Sequence, residues 1–164
     1  MFPVTYHALI PAENPARAGQ ALNILLVTEN PTGQSFTAPV ALWGSLGGPW
    51  RELLREQREN PLLKGVPLPD TLAITSDFST VPESELVVLA TPSFAVRTTA
   101  RNVAPFLKEG TIVVSVAKGI EKDTAKCLTQ VIEEEIGGKC PVVALSGPSH
   151  AEEVGRRVPT GCVA

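Results

Sequence analysis

"ELVVLATPSFAVRTTARNVAPFLKEGTIVVSVA", residues Glu85–Ala117, decides the fold. It begins and ends on short β-branched runs, "ELVVLA" (Glu85–Ala90) and "TIVVSVA" (Thr111–Ala117), each bounded by turn residues. Apolarity that is nearly continuous over so few positions predicts strands buried on both faces, as in a parallel sheet. Between them, "FAVRTTARNVAPFL" sets Val96, Ala100, Val103, Ala104 and Leu107 on one helical face. The same rhythm continues downstream. "DTAKCLTQVIEEEIGG" gathers Leu128, Val131, Ile132 and Ile136 on one face, with Asp123 as its expected cap and Gly137-Gly138 as its stop. "PVVALS" (Pro141–Ser146) is then a third strand. Strand, helix, strand, helix, strand at this spacing implies right-handed crossovers and a doubly wound, mostly parallel α/β sheet.

The first half admits two parses. In the first, "VTYHALI" (Val4–Ile10) is a strand and Asn14-Pro15 starts a helix, with Asn as cap and Pro at the first helical position. Ala18, Ala21, Leu22, Leu25 and Leu26 then follow at the spacing of a buried helical face, and Asn30-Pro31 ends it. In the second, "ILLVT" (Ile24–Thr28) is the strand, which leaves only Glu29 to Pro39 for a crossover. That is too short for a parallel connection containing a helix, so the helical parse is preferred. "PVALWG" (Pro39–Gly44) is the next strand and "PWRELLREQREN" (Pro49–Asn60) a surface helix.

The 164 residues suffice for one domain with a substantial core. A net charge of −3 and the absence of any Lys/Arg run argue against nucleic-acid binding. The cysteines, Cys127, Cys140 and Cys162, form no CxxC pair. They fit a reducing cytoplasm, as small buried apolar residues, better than a disulfide framework or a metal site. No apolar run approaches the ~18 residues of a membrane span, and the first fifteen or so residues lack the pattern of a signal peptide.

In an open α/β sheet, ligands gather beyond the carboxyl ends of the strands. Four loops belong there: "PAENPARAG", "TPSF", "AKGIE" and "SGPSHAEE". Lys118 directly follows a buried strand, where its ammonium is either aimed at a bound anion or snorkels into solvent. Gly119 beside it permits close approach by backbone or ligand. Gly147, Pro148 and Ser149 read either as a phosphate-holding turn or as a plain strand-to-helix turn, with Ser149 a possible cap. Glu152 and Glu153 suit the first turn of a helix through its dipole. His150 has no identifiable acid–base partner; His7, Trp43 and Trp50 are packing or surface residues.

Taken in order, "ALWG", "NPLLKGVPLPDTLAITSD", "VVLATPSFAVR", "SVAKGIE" and "LSGPSHAEEVGRRVPTGCVA" resemble the N-terminal domain of NAD(P)-dependent sn-glycerol-3-phosphate dehydrogenases. The resemblance runs from about Pro39 to Ala164 and is most specific in its last two motifs. Similarity to 6-phosphogluconate-type dehydrogenases extends to the general plan alone. The resemblance implies a single Rossmann-type domain that binds NAD or NADP, in an oxidoreductase interconverting glycerol 3-phosphate and dihydroxyacetone phosphate. It implies a cytoplasmic protein and leaves a homodimer open. Lys118 would touch substrate and cofactor, Gly147 and Ser149 the glycerol phosphate, and Ala151 the cofactor. Pro92 and Phe94 would border the nicotinamide side, while His150 stands where phenylalanine is usual.

The chain also departs from the family pattern. Residues 1–38 are divergent, whereas 39–164 read as the remainder of the dinucleotide-binding domain. Aligning "GQALNILL" with the first family helix makes Gly19 the third glycine of Gly-x-Gly-x-x-Gly, with Asn14 and Ala16 at the first two. Ala16 adds a methyl where the pyrophosphate approaches, and Pro15 removes an N–H donor. Ser45 replaces the arginine expected after the second strand, and "PTGQSFTA" is extra sequence. In the family a helical substrate domain follows and carries the lysine that acts as base. None of it lies within residues 1–164, so this chain is expected to be partial or divergent, and weakly active or inactive. A catalytically dead module with a binding role is the alternative. A displaced start, with residues 1–38 foreign to the fold, is a third.

Overall fold

A computed structural model of the chain describes residues 23–26, 40–44, 48–60, 63–68, 70, 72–75, 78–156 and 158–164. The three strands expected in the second half form where the apolar runs lie: β4 (Leu86–Leu89), β5 (Ile112–Ser115) and β6 (Val142–Ala144). All are parallel, with Leu89 opposite Ser115 and Val113 opposite Val142. Helix α2 (Val96–Val103) follows β4, and α3 (Leu128–Ile136) follows β5. Each turns its predicted stripe inward: Val96, Ala100 and Val103 on α2, and Leu128, Val131, Ile132 and Ile136 on α3. They pack on Val87, Leu89 and Val113 in one cluster, so both helices cover the same face of β4 and β5. Burying a side chain of this size contributes about 1.5–3 kcal/mol, which makes this cluster the main stabilising element among the described residues.

Central β5 buries Val113, Val114 and Ser115 in succession, as expected of a strand covered on both faces, whereas its neighbours are covered less evenly. Val87 and Leu89 are fully buried, whereas Leu86, Val88 and Val143 on the opposite face are only half-buried. The start of α3 also differs from expectation. Asp123 lies in an exposed turn; Cys127 occupies the N-cap position, its N–H donating to the Gln130 side chain at 3.0 Å. Of the cysteines expected to be buried, Cys140 is, whereas Cys127 and Cys162 are exposed. Ala125 adopts a positive φ of 55°, which keeps the segment before it from continuing the helix.

Residues 23–26 bring the main correction. They form strand β1 (Asn23–Leu26), so Leu25 and Leu26 lie in the sheet and not on the buried face of a helix. β1 runs antiparallel to both neighbours, β2 (Val40–Gly44) and β4. Leu25 faces Leu42 on one side and Val88 on the other. The short connection up to Pro39 excluded a parallel crossover, and an antiparallel return needs none. A strand here also satisfies the backbone donors and acceptors on the facing edges of β2 and β4. The expected strand at Val4–Ile10 and the start of the expected helix lie outside the described residues.

Helix α1 (Gly48–Gln57) leads to β3 (Leu72–Thr75), a strand within "NPLLKGVPLPDTLAITSD" that the sequence reading does not single out. β3 pairs parallel with β2. The six strands take the order β3-β2-β1-β4-β5-β6, that of a doubly wound dinucleotide-binding sheet, with β1 reversed. β3 is an edge, and α1 closes part of it: Arg55 donates to the Ile74 carbonyl through Nε at 2.9 Å and Nη2 at 2.7 Å. Arg58 donates to the Leu72 carbonyl at 3.1 Å. Helix α4 (Ala151–Gly155) follows β6. Among the described residues no helix is long and apolar enough to cross a membrane.

Candidate functional site

Three loops leave the carboxyl ends of the adjacent parallel strands β4, β5 and β6, which places them along one rim. The first two touch. Gly119 has φ of 114°, and a Cβ there would lie 3.6 Å from the Ser93 side chain. That conformation strains any residue but glycine, so Gly119 is needed for the turn itself. The second and third loops are joined by Lys118, whose Nζ donates to the Gly147 carbonyl at 2.9 Å. The same oxygen accepts the Ser149 N–H at 2.8 Å and the Ser149 hydroxyl at 3.4 Å. Lys118, Gly147 and Ser149, predicted separately from two motifs, therefore meet on one carbonyl.

Ser149 does not cap α4. His150 takes the N-cap position, without a side-chain cap bond, while Ser149 turns back to Gly147. The reason for Gly147 is also more specific than a tight exit from the strand. Residues 158–164 fold back over the turn, with Ser146 and Val163 exchanging backbone hydrogen bonds of 2.9 and 2.8 Å. A Cβ on Gly147 would fall 2.2 Å from the Gly161 carbonyl oxygen and 3.0 Å from the Cys162 Cα. Ala151 is the half-buried first residue of α4.

The loop after β4 supplies the remaining wall. The Pro92 carbonyl accepts the Ala95 N–H at 2.9 Å, and Phe94 projects with 63% of its surface exposed. Below the rim, Thr91 and Ser115 are buried, and neither hydroxyl has a hydrogen-bond partner among the described residues. Gly19 lies outside the described residues, as do Asn14, Ala16 and Ser45. No group of His, Cys, Asp and Glu among the described residues is arranged to hold a metal ion.

Sequence reasoning missed the electrostatic frame of this rim. Glu121 ends the "SVAKGIE" motif and Arg97 ends "VVLATPSFAVR"; their side chains form a forked pair at 2.6 and 2.7 Å. Arg97 also reaches Glu135 at 2.7 Å and Glu134 at 3.0 Å, while Arg101 pairs with Glu135 at 2.8 Å. Lys126 completes the group through Glu134. The Arg97 guanidinium, helped by the Thr124 hydroxyl, pulls the Glu121 carboxyl from its ordinary 4.5 down to about 2. Lys126 and then Arg97 lower Glu134; Arg101 and then Arg97 lower Glu135. The available signal was Arg97 and Arg101 one helical turn apart, opposite the acidic run 133–135.

A profile of the family described as NAD-dependent glycerol-3-phosphate dehydrogenase N-terminus matches residues 18–164. The chain belongs to this family. Family relatives named glycerol-3-phosphate dehydrogenase [NAD(P)+] include one from Moorella thermoacetica, 54% identical over 112 residues, covering 67% of this chain and 33% of the relative. Another, from Fusobacterium nucleatum, is 40% identical over 147 residues and covers 88% of this chain and 42% of its own length. The chain thus spans well under half the length of these family members. Among solved structures, glycerol-3-phosphate dehydrogenase from Coxiella burnetii superposes with a TM-score of 0.63 at 26% identity, covering 71% of this chain and 36% of that one. Family membership agrees with the Rossmann-type sheet order, within which β1 runs antiparallel to both neighbours.

Proposed function

We propose that this chain forms the cofactor-binding part of an NAD(P)-dependent glycerol-3-phosphate dehydrogenase. The observation that carries the reading is the 2.9 Å hydrogen bond from Lys118 Nζ to the Gly147 carbonyl, which joins the two most specific family motifs at the strand ends. Lys118 then serves substrate and cofactor together, and Gly147 and Ser149 hold the glycerol phosphate. Ala151 lies against the cofactor; a pyrophosphate-loop role is not carried over to Gly19, because the helix on which it was aligned is strand β1 from Asn23. Pro92 and Phe94 border the nicotinamide; the exposed Phe94 ring and the adjacent cation suit an aromatic, anionic ligand.

The bound nicotinamide supplies a hydride acceptor. With that acceptor bound, the C2 hydride of glycerol 3-phosphate would go to it while a base took the C2 hydroxyl proton. This chain's residues orient the substrate: Lys118 neutralises negative charge at the rim, and the Ser149 hydroxyl donates to an oxygen of the phosphate or glycerol. The base is expected from a following helical domain, as the family resemblance implies. β1 is reversed, so the carboxyl end that would carry a pyrophosphate loop lies away from the rim of β4, β5 and β6. Cofactor affinity is therefore expected to be low, and turnover by residues 1–164 slight.

Calorimetric titration with NADH and NADPH tests the reading. Micromolar to submillimolar binding that weakens at least tenfold in Lys118→Met supports it. No binding at millimolar ligand overturns it in favour of a Rossmann module that has lost its cofactor, the outcome to which the reversed β1 points. A homodimer in the cytoplasm belongs to the same proposal, and sedimentation of the purified chain checks the dimer.

A further inference from the structure

Lys118 sits on an exposed turn, and a lysine there is free to sample many rotamers unless its backbone is held. What holds that turn is visible. Ile120 bridges Cys127 in antiparallel fashion, the Glu121 N–H donates to the Lys126 carbonyl at 3.0 Å, and the Ala125 N–H donates to the Glu121 carbonyl at 2.9 Å. These bonds shape the turn but tie it only to itself and to the start of α3. The link to the neighbouring wall is Arg97, the second residue of α2, three positions after Phe94. Its Nε and Nη2 grip both oxygens of Glu121, and its Nη1 reaches Glu135 on α3. One guanidinium therefore joins the β4 loop's helix, the Lys118 turn and α3.

We propose that Arg97, through its forked pair with Glu121, is a positioning residue that aims the Lys118 ammonium at the Gly147 carbonyl. Arg97 touches neither Lys118 nor the rim carbonyl; it acts by fixing the backbone three residues beyond Lys118. A planar fork is required, because a lysine offers a point charge that cannot grip both carboxylate oxygens in one plane. Arg101 provides an internal contrast: it pairs with Glu135, joins α2 to α3, and makes no bond to the Lys118 turn. Only the bearing of this device on ligand affinity rests on the function proposed above.

The test begins without ligand. The full chain and its Arg97→Lys, Glu121→Gln and Arg101→Ala variants are briefly labelled with an amine-acylating reagent, and modification is read at each lysine by mass spectrometry. Losing the carbonyl bond is expected to raise labelling of Lys118 about fivefold relative to Lys64 and Lys108 in Arg97→Lys and Glu121→Gln, the factor expected for one net hydrogen bond. Arg101→Ala leaves it unchanged. Unaltered Lys118 labelling in folded Glu121→Gln, a substitution that preserves side-chain shape, overturns the proposal even if Arg97→Lys fails to fold; an equal rise in Arg101→Ala overturns it as well. A double-mutant cycle on NADH affinity then asks whether Arg97 acts through Lys118. Glu121→Gln is expected to weaken binding several-fold with Lys118 present and not in Lys118→Met, whereas equal losses in both backgrounds refute the coupling. Absence of NADH binding by the wild type refutes the proposed function and leaves the labelling result to decide the positioning role.

Discussion

At Gly147, a single methyl group separates a working turn from a collision. Its Cβ would meet the Gly161 carbonyl oxygen at 2.2 Å, and the obstacle is backbone, which cannot rotate aside. Gly147→Ala should therefore displace residues 158–164 and shift the carbonyl that Lys118 and Ser149 share. We expect a loss of about 1–3 kcal/mol in urea unfolding, together with loss of amide-exchange protection at Val163. Retained protection there would contradict the close approach. Gly119→Ala is expected to destabilise for a different reason, since the space near Ser93 is adequate but the φ of 114° is not. Thermal unfolding should register it with Val163 protection intact, which separates the two glycines experimentally.

Among the elements, α2 and α3 act as a pair. Their inner stripes share the core with β4 and β5, so Ile132→Ala, which empties a fully buried site, should cost about 2–5 kcal/mol in chemical denaturation. Their outer edges share the Arg97 network, whose response to pH has a definite sign. Glu121 is held at about 2 in the folded chain against an ordinary 4.5. Its folded value is depressed, so its contribution to stability is complete above about 4.5 and fades as pH falls toward 2. The difference in melting temperature between wild type and Glu121→Gln should accordingly be largest near neutrality and shrink across that acidic window. The pair is partly solvent-exposed and screened, so added salt should reduce the difference too. A pH-independent difference would show that Glu121 matters through shape and not charge.

Across the whole molecule, the reversed β1 determines how the two halves of the sheet meet. Among the described residues β1 links β2 to β4, pairing with β2 through Asn23–Leu26 and with β4 from Ile24 to Leu26. Leu25→Pro removes a ladder donor and imposes proline geometry between two strands, a substitution tolerated essentially only at sheet edges. Cooperative unfolding is expected to give way to separate transitions, with β4, β5 and β6 the more resistant part. In the intact chain, cross-strand nuclear Overhauser contacts should connect Leu25 to both Leu42 and Val88; sequential helical contacts through Leu26 would restore the helical parse. The same reversal bears on function, because the first strand and loop of a dinucleotide-binding sheet normally present the pyrophosphate site at the strand's carboxyl end. An antiparallel β1 points that end away from the rim formed by β4, β5 and β6, which is a physical reason to expect weak cofactor affinity.

Local pattern alone determined the second half of this protein. The β-branched runs of β4, β5 and β6 and the apolar stripes of α2 and α3 each have one burial solution, and "SVAKGIE" and "LSGPSH" fall at strand ends in any such arrangement. Tertiary structure decided what local pattern left degenerate. Leu25 and Leu26 satisfy a helical stripe as well as a strand, and the available edges of β2 and β4 selected the strand. Gly147 reads as a turn glycine until Gly161 is brought against it, and Arg97 and Glu121, which the sequence reading does not single out, pair because α2 and the Lys118 turn bring them within 2.7 Å. The physical reason is range: periodicity reports which face of an element is apolar, whereas strand partners, close backbone approach and ion pairing depend on residues distant in the chain.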